Sequence, residues 1–190
     1  MNSTEFFPPI ISAVAITVAR MLEIAAKRDT IAGPVREKLS LQLFLVVGMI
    51  MFFGSIAEFL WEKPAFSWPL FAAGWACGLA SFYIRRRAIA ALGKFWSLHV
   101  EIRDNHQFVQ SGPFRFVRHP TYFSMILELL AIGLLLKAVI MLIIIPALFF
   151  PVLLWRIKTE EVALVEKFGD AYRKYQADVP ALLPLWRKSS

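Results

Sequence analysis

The sequence predicts an all-α, polytopic integral membrane protein, and composition and charge both lead to that fold class. Of the 190 residues, 58% are apolar and only 18% are charged, and the mean hydropathy is +0.58. Soluble domains are about half apolar and about a quarter charged, so this chain has more apolar side chains than one small core can bury. The net charge of +7 is typical of basic loops that face anionic lipid, and we expect no nucleic-acid partner.

Three apolar stretches in the N-terminal half are candidate membrane spans. A transmembrane helix needs about 20 predominantly apolar residues. Residues 9–26, 39–61 and 68–84 approach or meet that length, and the third stretch is followed by three consecutive arginines, 85–87. We therefore predict three helices here, the third ending at the arginines.

A fourth apolar stretch is too long for one span. Residues 121–155 contain only two charges, Glu128 and Lys137. A single helix of this length would measure about 52 Å, well beyond a hydrocarbon core of about 30 Å. We therefore predict two helices in a tight hairpin that turns near residues 136–138, which brings the count to about five membrane segments.

Lysine and arginine side chains cluster on alternate connections between these five segments. Residues 27–38 carry four of the 21 basic residues, residues 85–118 carry seven, and residues 156–190 carry seven. Cytoplasmic loops are enriched in lysine and arginine, so we expect the N-terminus outside and the C-terminus in the cytoplasm.

Ionisable residues inside the predicted spans are expected to face the bundle interior. Arg20 and Glu23 lie three residues apart in the first span and can pair on one helix face. Glu128 lies in the fourth segment. We expect Glu128 to have a structural role, with Arg20 as a possible partner.

Cysteine and histidine usage argues against a metal site. The single cysteine, Cys77, excludes an internal disulfide and a multi-cysteine metal site, and we expect it to pack in a helix interface beside Gly74 and Gly78. The three histidines lack the HExxH spacing of a helical zinc site. We therefore expect no bound metal.

The polar residues at the start of the hairpin have an ordinary structural interpretation. Ser111-Gly112-Pro113 is typical of a turn, and Pro120 suits the first position of a helix. On spacing alone, Arg118 is a lipid anchor whose charge reaches the interface, and His119 and Tyr122 are interfacial residues.

The residues after the hairpin also have an ordinary structural interpretation. Arg156 and Glu160 lie four residues apart and share one helix face, as a surface ion pair would, and Glu161 lies on another face where solvation is its default. Apolar and aromatic side chains then recur every three to four residues at Val162, Val165, Phe168, Tyr172 and Tyr175. This period predicts a C-terminal amphipathic helix that lies on the protein or the bilayer.

Taken in order, the motifs of the C-terminal half resemble one family. They are Leu-Gly-x-x-Trp-Ser from residue 92, His-x-x-Val-x-x-Gly-Pro-Phe from 106, Arg-His-Pro-x-Tyr from 118, Arg-x-x-x-Glu-Glu from 156 and Phe-Gly-x-x-Tyr-x-x-Tyr from 168. This order and spacing resembles the isoprenylcysteine carboxyl methyltransferase family of integral membrane enzymes, over about residues 92–184.

The resemblance implies an enzyme that uses S-adenosylmethionine, bound in a cytoplasmic pocket of the C-terminal half. The organisation of the chain predicts one membrane domain over residues 1–190 with three spans in 1–84, and the resemblance assigns the cofactor-binding and catalytic half to 85–190. Arg156 is the implied ligand of the substrate carboxylate, and Arg156 and Glu160 are the implied catalytic residues. The implied cofactor-binding residues are His106, Gln107, Phe108, Val109, Phe114, His119, Pro120, Thr121, Tyr122 and Glu160.

The chemistry of methyl transfer agrees with this set of residues. An acceptor carboxylate is already ionised at neutral pH and needs no general base. The protein must then orient the two reactants and remove water from the anion. A planar arginine side chain such as Arg156 can hold both oxygens of a carboxylate. The chain has no GxGxxG loop, which disfavours a soluble Rossmann-type methyltransferase.

We therefore expect an integral membrane methyltransferase that acts on a lipophilic small molecule or a prenylated substrate in the bilayer. By the resemblance, the acceptor is the C-terminal carboxylate of an isoprenylcysteine. Relatives with this motif set also methylate phospholipid amines or small thiols, and farther kin are NADPH-dependent sterol reductases. A non-enzymatic membrane scaffold is the alternative from a different class.

Overall fold

A computed structural model describes residues 3–27, 35–37, 39–97, 100–101 and 108–183. Six α-helices make up most of this structure. They are α1 (Ser3–Ala25), α2 (Leu39–Glu62), α3 (Trp68–Leu92), α4 (Pro120–Leu136), α5 (Val139–Phe168) and α6 (Asp170–Asp178). Short 3₁₀ turns occupy Gly93–Phe95 and Gly112–Arg115.

The predicted helical architecture is confirmed. Among the described residues, three helices are long and apolar enough to cross a membrane, over Glu5–Ala25, Leu39–Glu62 and Val139–Phe168, and Pro120–Leu136 is a shorter apolar helix. The count of five membrane segments stays a prediction.

A small strand pair is the one departure from an all-helical chain within the described ranges. Strand β1 (Val35–Glu37) pairs antiparallel with β2 (Val100–Glu101). The sequence did not predict these strands, because two or three residues are too few to show the alternation of a half-buried strand.

The predicted hairpin is confirmed, with its turn at Lys137 and Ala138. Lys137 adopts a left-handed conformation (φ 51°, ψ 35°), and the Ala138 N–H donates to the Gly133 carbonyl at 2.9 Å. A Cβ atom on Gly133 would lie 2.4 Å from Leu142 in α5. Glycine at this position therefore lets the first turn of α5 approach α4 closely.

A buried carboxylate from α2 fixes the start of α5. Glu58 accepts hydrogen bonds from the backbone N–H groups of Ile140 and Met141 at 2.8 and 3.0 Å. These N–H groups belong to the first turn of a helix, where no intrahelical acceptor exists and where negative charge is favourable. Glu58 thus joins α2 to the hairpin at the end of the bundle where α4 and α5 meet.

The helix that contains the third span continues past the arginine triplet, so its predicted end at residues 85–87 is wrong. It extends to Leu92, because Arg85 turns into the bundle and finds carboxylates there. Arg85 is only 4% exposed and donates to Glu23 at 2.5 Å and to Glu128 at 2.6 Å. The expected partner of Glu128, Arg20, lies at 3.8 Å.

The predicted C-terminal amphipathic helix is not one helix. Its first residues continue α5 to Phe168, and Gly169, with a φ of 57°, starts the separate nine-residue helix α6. Tyr172 and Tyr175 are buried, but Val162 is half exposed. The apolar period therefore continues across a break between two helices, at a backbone conformation that glycine adopts easily.

We expect Glu58→Gln to lower stability by about 1–2 kcal/mol, because the amide keeps one acceptor and turns an N–H group toward a backbone N–H group. Thermal unfolding of detergent-purified protein measures the change. Glu62→Gln is the matched control, since Glu62 is exposed on the same helix. Equal melting temperatures for the two variants would contradict the capping role.

Candidate active site

The start of α4 is held by the C-terminal segment of the chain. The backbone N–H groups of Arg118 and His119 donate to the carbonyls of Pro180 and Ala181, both at 2.9 Å. Nη1 of Arg118 also donates to the carbonyl of Gln176 at 2.8 Å and to that of Val179. Residues 58 to 62 positions apart in the sequence therefore fix the entry to this helix together.

The Glu161 side chain links the start of α4 to the C-terminal segment. Its Oε1 accepts from Nε of Arg118 at 2.8 Å and lies 3.0 Å from Nε2 of His119, and its Oε2 accepts from the Gln176 amide at 2.9 Å. The interpretation of Arg118 as a lipid anchor and of Glu161 as a solvated residue is therefore wrong. Both charges turn inward because each satisfies the other within the protein.

An aromatic cluster packs α6 against the segment before α4. The Phe108 ring lies 4.9 to 5.8 Å from the rings of Phe168, Tyr172 and Tyr175. The Tyr175 hydroxyl donates to the Phe114 carbonyl at 2.6 Å. Burial raises the pKa of Tyr175 to about 12, and burial also raises the pKa of Tyr172. Both phenols are therefore neutral at physiological pH, as a hydrogen-bond donor requires.

Tyr122 joins the two residues that carry the predicted chemistry. Its hydroxyl donates to Oε2 of Glu160 at 2.7 Å and accepts from Nε of Arg156 at 2.8 Å. The predicted surface ion pair is thus replaced by a linkage through a buried phenol, and Arg156 is 5% exposed.

The His119 ring lies beside this linkage. It stacks on Tyr122 with ring centroids 5.3 Å apart and planes inclined by 16°. Its Nδ1 lies 3.7 Å from Oε2 of Glu160. Since Glu161 engages the opposite ring nitrogen, the imidazole is held between two carboxylates in one orientation.

The N-terminal half also contributes to the site. Nη1 of Arg156 donates to the Ser40 hydroxyl at 2.6 Å, and the Phe44 ring lies 5.8 Å from the guanidinium carbon. Sequence reasoning missed Ser40 because a serine at a helix start is more often a cap. No local signal links residue 40 to residue 156.

One cavity adjoins most of the predicted site. Its walls include six of the predicted residues: Phe114, His119, Thr121, Tyr122, Arg156 and Glu160. Its walls also include residues that the sequence did not single out for the site, among them Arg20, Leu41, Phe44, Arg85, Trp96 and Met125. The predicted set is therefore largely brought together, and helices α1, α2 and α3 complete its walls.

Three predicted residues of the described part of the chain are not on these walls. Pro120 is buried at the first position of α4, Phe108 packs in the aromatic cluster, and Val109 is partly buried. His106 and Gln107 lie outside the described residues. Within the described ranges, no group of three or more histidine, cysteine, aspartate or glutamate side chains is arranged to hold a metal ion.

We expect Glu161→Gln to lower stability by about 2 kcal/mol, because it removes the charge that pairs with Arg118 and His119. The C-terminal segment should become easier to detach, which limited proteolysis after residue 165 measures. Asp178→Asn, at an exposed acid of α6, is the matched control. Equal cleavage rates in the two variants would contradict the anchoring role.

Comparison with known proteins identifies the family. Residues 75–166 match the isoprenylcysteine carboxyl methyltransferase (ICMT) family. The protein-S-isoprenylcysteine O-methyltransferase of Schizosaccharomyces pombe is 34% identical over 110 residues, which cover 54% of this chain and 44% of that protein. The uncharacterized protein YpbQ of Bacillus subtilis is 31% identical over 156 residues, which cover 81% of this chain and 90% of that protein.

A third relative is the cobalt-zinc-cadmium resistance protein CzcN of Cupriavidus metallidurans. It is 29% identical over 101 residues, which cover 51% of this chain and 45% of that protein. The chain thus spans somewhat under half the length of two of these three relatives. The matched region contains the start of α4, Arg156 and Glu160, which build the cavity described above. The chain belongs to the isoprenylcysteine carboxyl methyltransferase family.

Proposed function

We propose that this protein transfers a methyl group from S-adenosylmethionine to the carboxylate of a lipophilic acceptor of the isoprenylcysteine type. The observation that carries the proposal is the linkage from Arg156 through the Tyr122 hydroxyl to Glu160 beside one cavity. Family membership supports a membrane methyltransferase. The S. pombe relative, a protein-S-isoprenylcysteine O-methyltransferase, supports the choice of acceptor.

The charge and the aromatic rings around Glu160 suit the donor. S-adenosylmethionine carries a methyl group on a positively charged sulfur, which an acceptor anion can displace in line. The Glu160 side chain is 33% exposed and lines the cavity, and among the described residues no hydrogen bond engages its Oε1. This carboxylate is favourable for a cation, and the aromatic rings of His119 and Tyr122 line the same cavity.

The remaining donor contacts are proposed from the family resemblance. Phe114 and Thr121 line the same cavity, and Phe114 offers a ring face for an adenine base. Where relatives often have tyrosine, Phe114 lacks a hydroxyl and can stack but not donate. His106, Gln107, Phe108, Val109 and Pro120 complete the proposed donor-binding set.

Arg156 is the proposed ligand of the acceptor carboxylate. Its guanidinium is held by Tyr122 and Ser40, so it is already oriented before an acceptor arrives. A planar guanidinium can match both oxygens of a carboxylate, and this match has a fixed geometry that a lysine ammonium does not offer. An acceptor held in this way loses little further rotational freedom at the moment of reaction.

Apolar walls exclude water from the reacting groups. Leu41 and Phe44 of α2 and Met125 of α4 line the cavity beside the charged residues. Removing water from a carboxylate nucleophile strengthens its interactions with fixed charges and exposes its oxygens for attack. A lipid tail can lie in the bilayer while the polar head reaches Arg156. The proposed orientation puts this site on the cytoplasmic side, where the basic loops lie.

The first test compares donors and acceptors with the wild-type protein in detergent. We expect S-adenosylmethionine, and not NADPH, to raise the melting temperature, because the binding of a ligand to the native state stabilises it. We expect labelled methyl transfer to an isoprenylcysteine acid and not to a small thiol. A shift with NADPH alone would favour the reductase alternative, and no shift with either would favour a scaffold.

We expect Arg156→Lys to lower turnover on an isoprenylcysteine acid by about tenfold, which corresponds to about 1.4 kcal/mol of transition-state stabilisation. The lysine keeps the charge but loses the two-pronged contact, so the affinity for S-adenosylhomocysteine should change little. Arg173→Lys, at an exposed arginine of α6, is the matched control. Wild-type turnover in Arg156→Lys would contradict the carboxylate-binding role.

A further inference from the structure

Four charged side chains form an ionic ring inside the helical bundle. Oε2 of Glu23 lies 3.2 Å from Nη1 of Arg20 and 2.5 Å from Nε of Arg85. Oε2 of Glu128 lies 2.6 Å from Nη1 of Arg85 and 3.8 Å from Nε of Arg20. Each carboxylate thus bridges both arginines, and helices α1, α3 and α4 meet at this ring.

Stability alone is a poor explanation for this ring. Buried ion pairs lose hydration, and packed apolar side chains often stabilise a protein as well or better. Oε1 of Glu23 is also buried without a hydrogen-bond partner among the described residues, which leaves part of that cost uncompensated. Ionisable residues inside a membrane bundle are candidates for function.

The ring has a positive face toward the active-site cavity. Arg20 and Arg85 line the cavity, whereas Glu23 and Glu128 are not among its walls. Both arginines contact the carboxylates through Nε and Nη1, and Nη2 of each makes no hydrogen bond to the described part of the chain. The carboxylates therefore hold two guanidinium groups on the wall of one cavity, and these ion pairs do not use the Nη2 donors of either arginine.

We infer that Arg20 and Arg85 bind a carboxylate in this cavity. The inference rests on the proposed function, which brings two carboxylates together: that of the acceptor and that of the methionine part of the donor. Arg156 is the proposed ligand of the first. Two guanidinium groups that line one cavity and keep unused N–H donors suit the second, because charge-assisted hydrogen bonds to a carboxylate are strong and directional.

The same two arginines can also bind the carboxylate of the acceptor. Two pairs of ligands distinguish the donor carboxylate from the acceptor carboxylate, because the members of each pair differ only in the carboxylate. The first pair is S-adenosylhomocysteine and its decarboxylated analogue. The second pair is an isoprenylcysteine acid and the corresponding carboxamide. The measured quantity is the ratio of dissociation constants within each pair, determined by calorimetry on the full chain in detergent.

The variants remove one positive and one negative charge together, so that the ring stays neutral. Arg20→Gln with Glu23→Gln is the first double variant. Arg85→Gln with Glu128→Gln is the second, and it keeps the experiment decisive if one pair does not fold. Arg86→Gln is the matched control, since Arg86 is an exposed arginine on the same helix that lines a different groove.

We expect the wild-type protein to prefer S-adenosylhomocysteine to its decarboxylated analogue by about tenfold, and this preference to fall to about twofold in either double variant. Arg86→Gln should keep the wild-type ratio. A loss of preference within the acceptor pair would support the same arginine site with the acceptor as its ligand. Unchanged ratios in both pairs, measured in a folded double variant, would overturn the inference.

Failure of this inference and failure of the proposed function give different results in these measurements. A wild-type protein that binds neither S-adenosylhomocysteine nor S-adenosylmethionine would contradict the proposed function. The acceptor pair would still measure whether Arg20 and Arg85 bind a carboxylate. A wild-type protein that binds the donor normally, with the same ratio in the double variants, would contradict the arginine site alone.

Discussion

The hydroxyl of Tyr122 is the contact on which the candidate site depends. It accepts from Arg156 and donates to Glu160, and so it fixes a cation and an anion around one buried oxygen. Without it, Arg156 would lose a buried hydrogen bond, and such a loss is costly in the protein interior. The stacked imidazole of His119 keeps the Tyr122 ring in place. Glu161 holds that imidazole in turn.

The four carboxylates around the cavity occupy two kinds of position. Glu160 lines it, whereas Glu161, Glu23 and Glu128 lie behind the arginines that they hold. This arrangement orients guanidinium groups that would otherwise repel one another in a low-dielectric interior. It also explains why a cavity in a membrane bundle contains several arginines without a matching number of acids on its walls.

Local pattern was enough to predict α1, α2, α4 and the hairpin, because their signals lie within one segment. Pro120 at a helix start and the charge at Lys137 mark the ends of α4. The same reasoning failed for Arg85, Arg118 and Glu161. Their partners lie 15 to 62 residues away, and helical spacing reports only neighbours on the same helix. The motifs contain most of the residues that line the cavity. Ser40, the partner of Arg156, lies outside the motifs, and only the structure identifies it.

Tyr122→Phe tests the central linkage most directly, since it removes one oxygen and leaves the ring that stacks on His119. Methyl transfer to an isoprenylcysteine acid at saturating donor and acceptor is the measurement, and Tyr83→Phe, at an exposed tyrosine of α3, is the control. We expect turnover to fall by about tenfold in a protein that still unfolds cooperatively, because Arg156 and Glu160 lose their shared partner. Turnover equal to that of the wild-type protein would contradict the account.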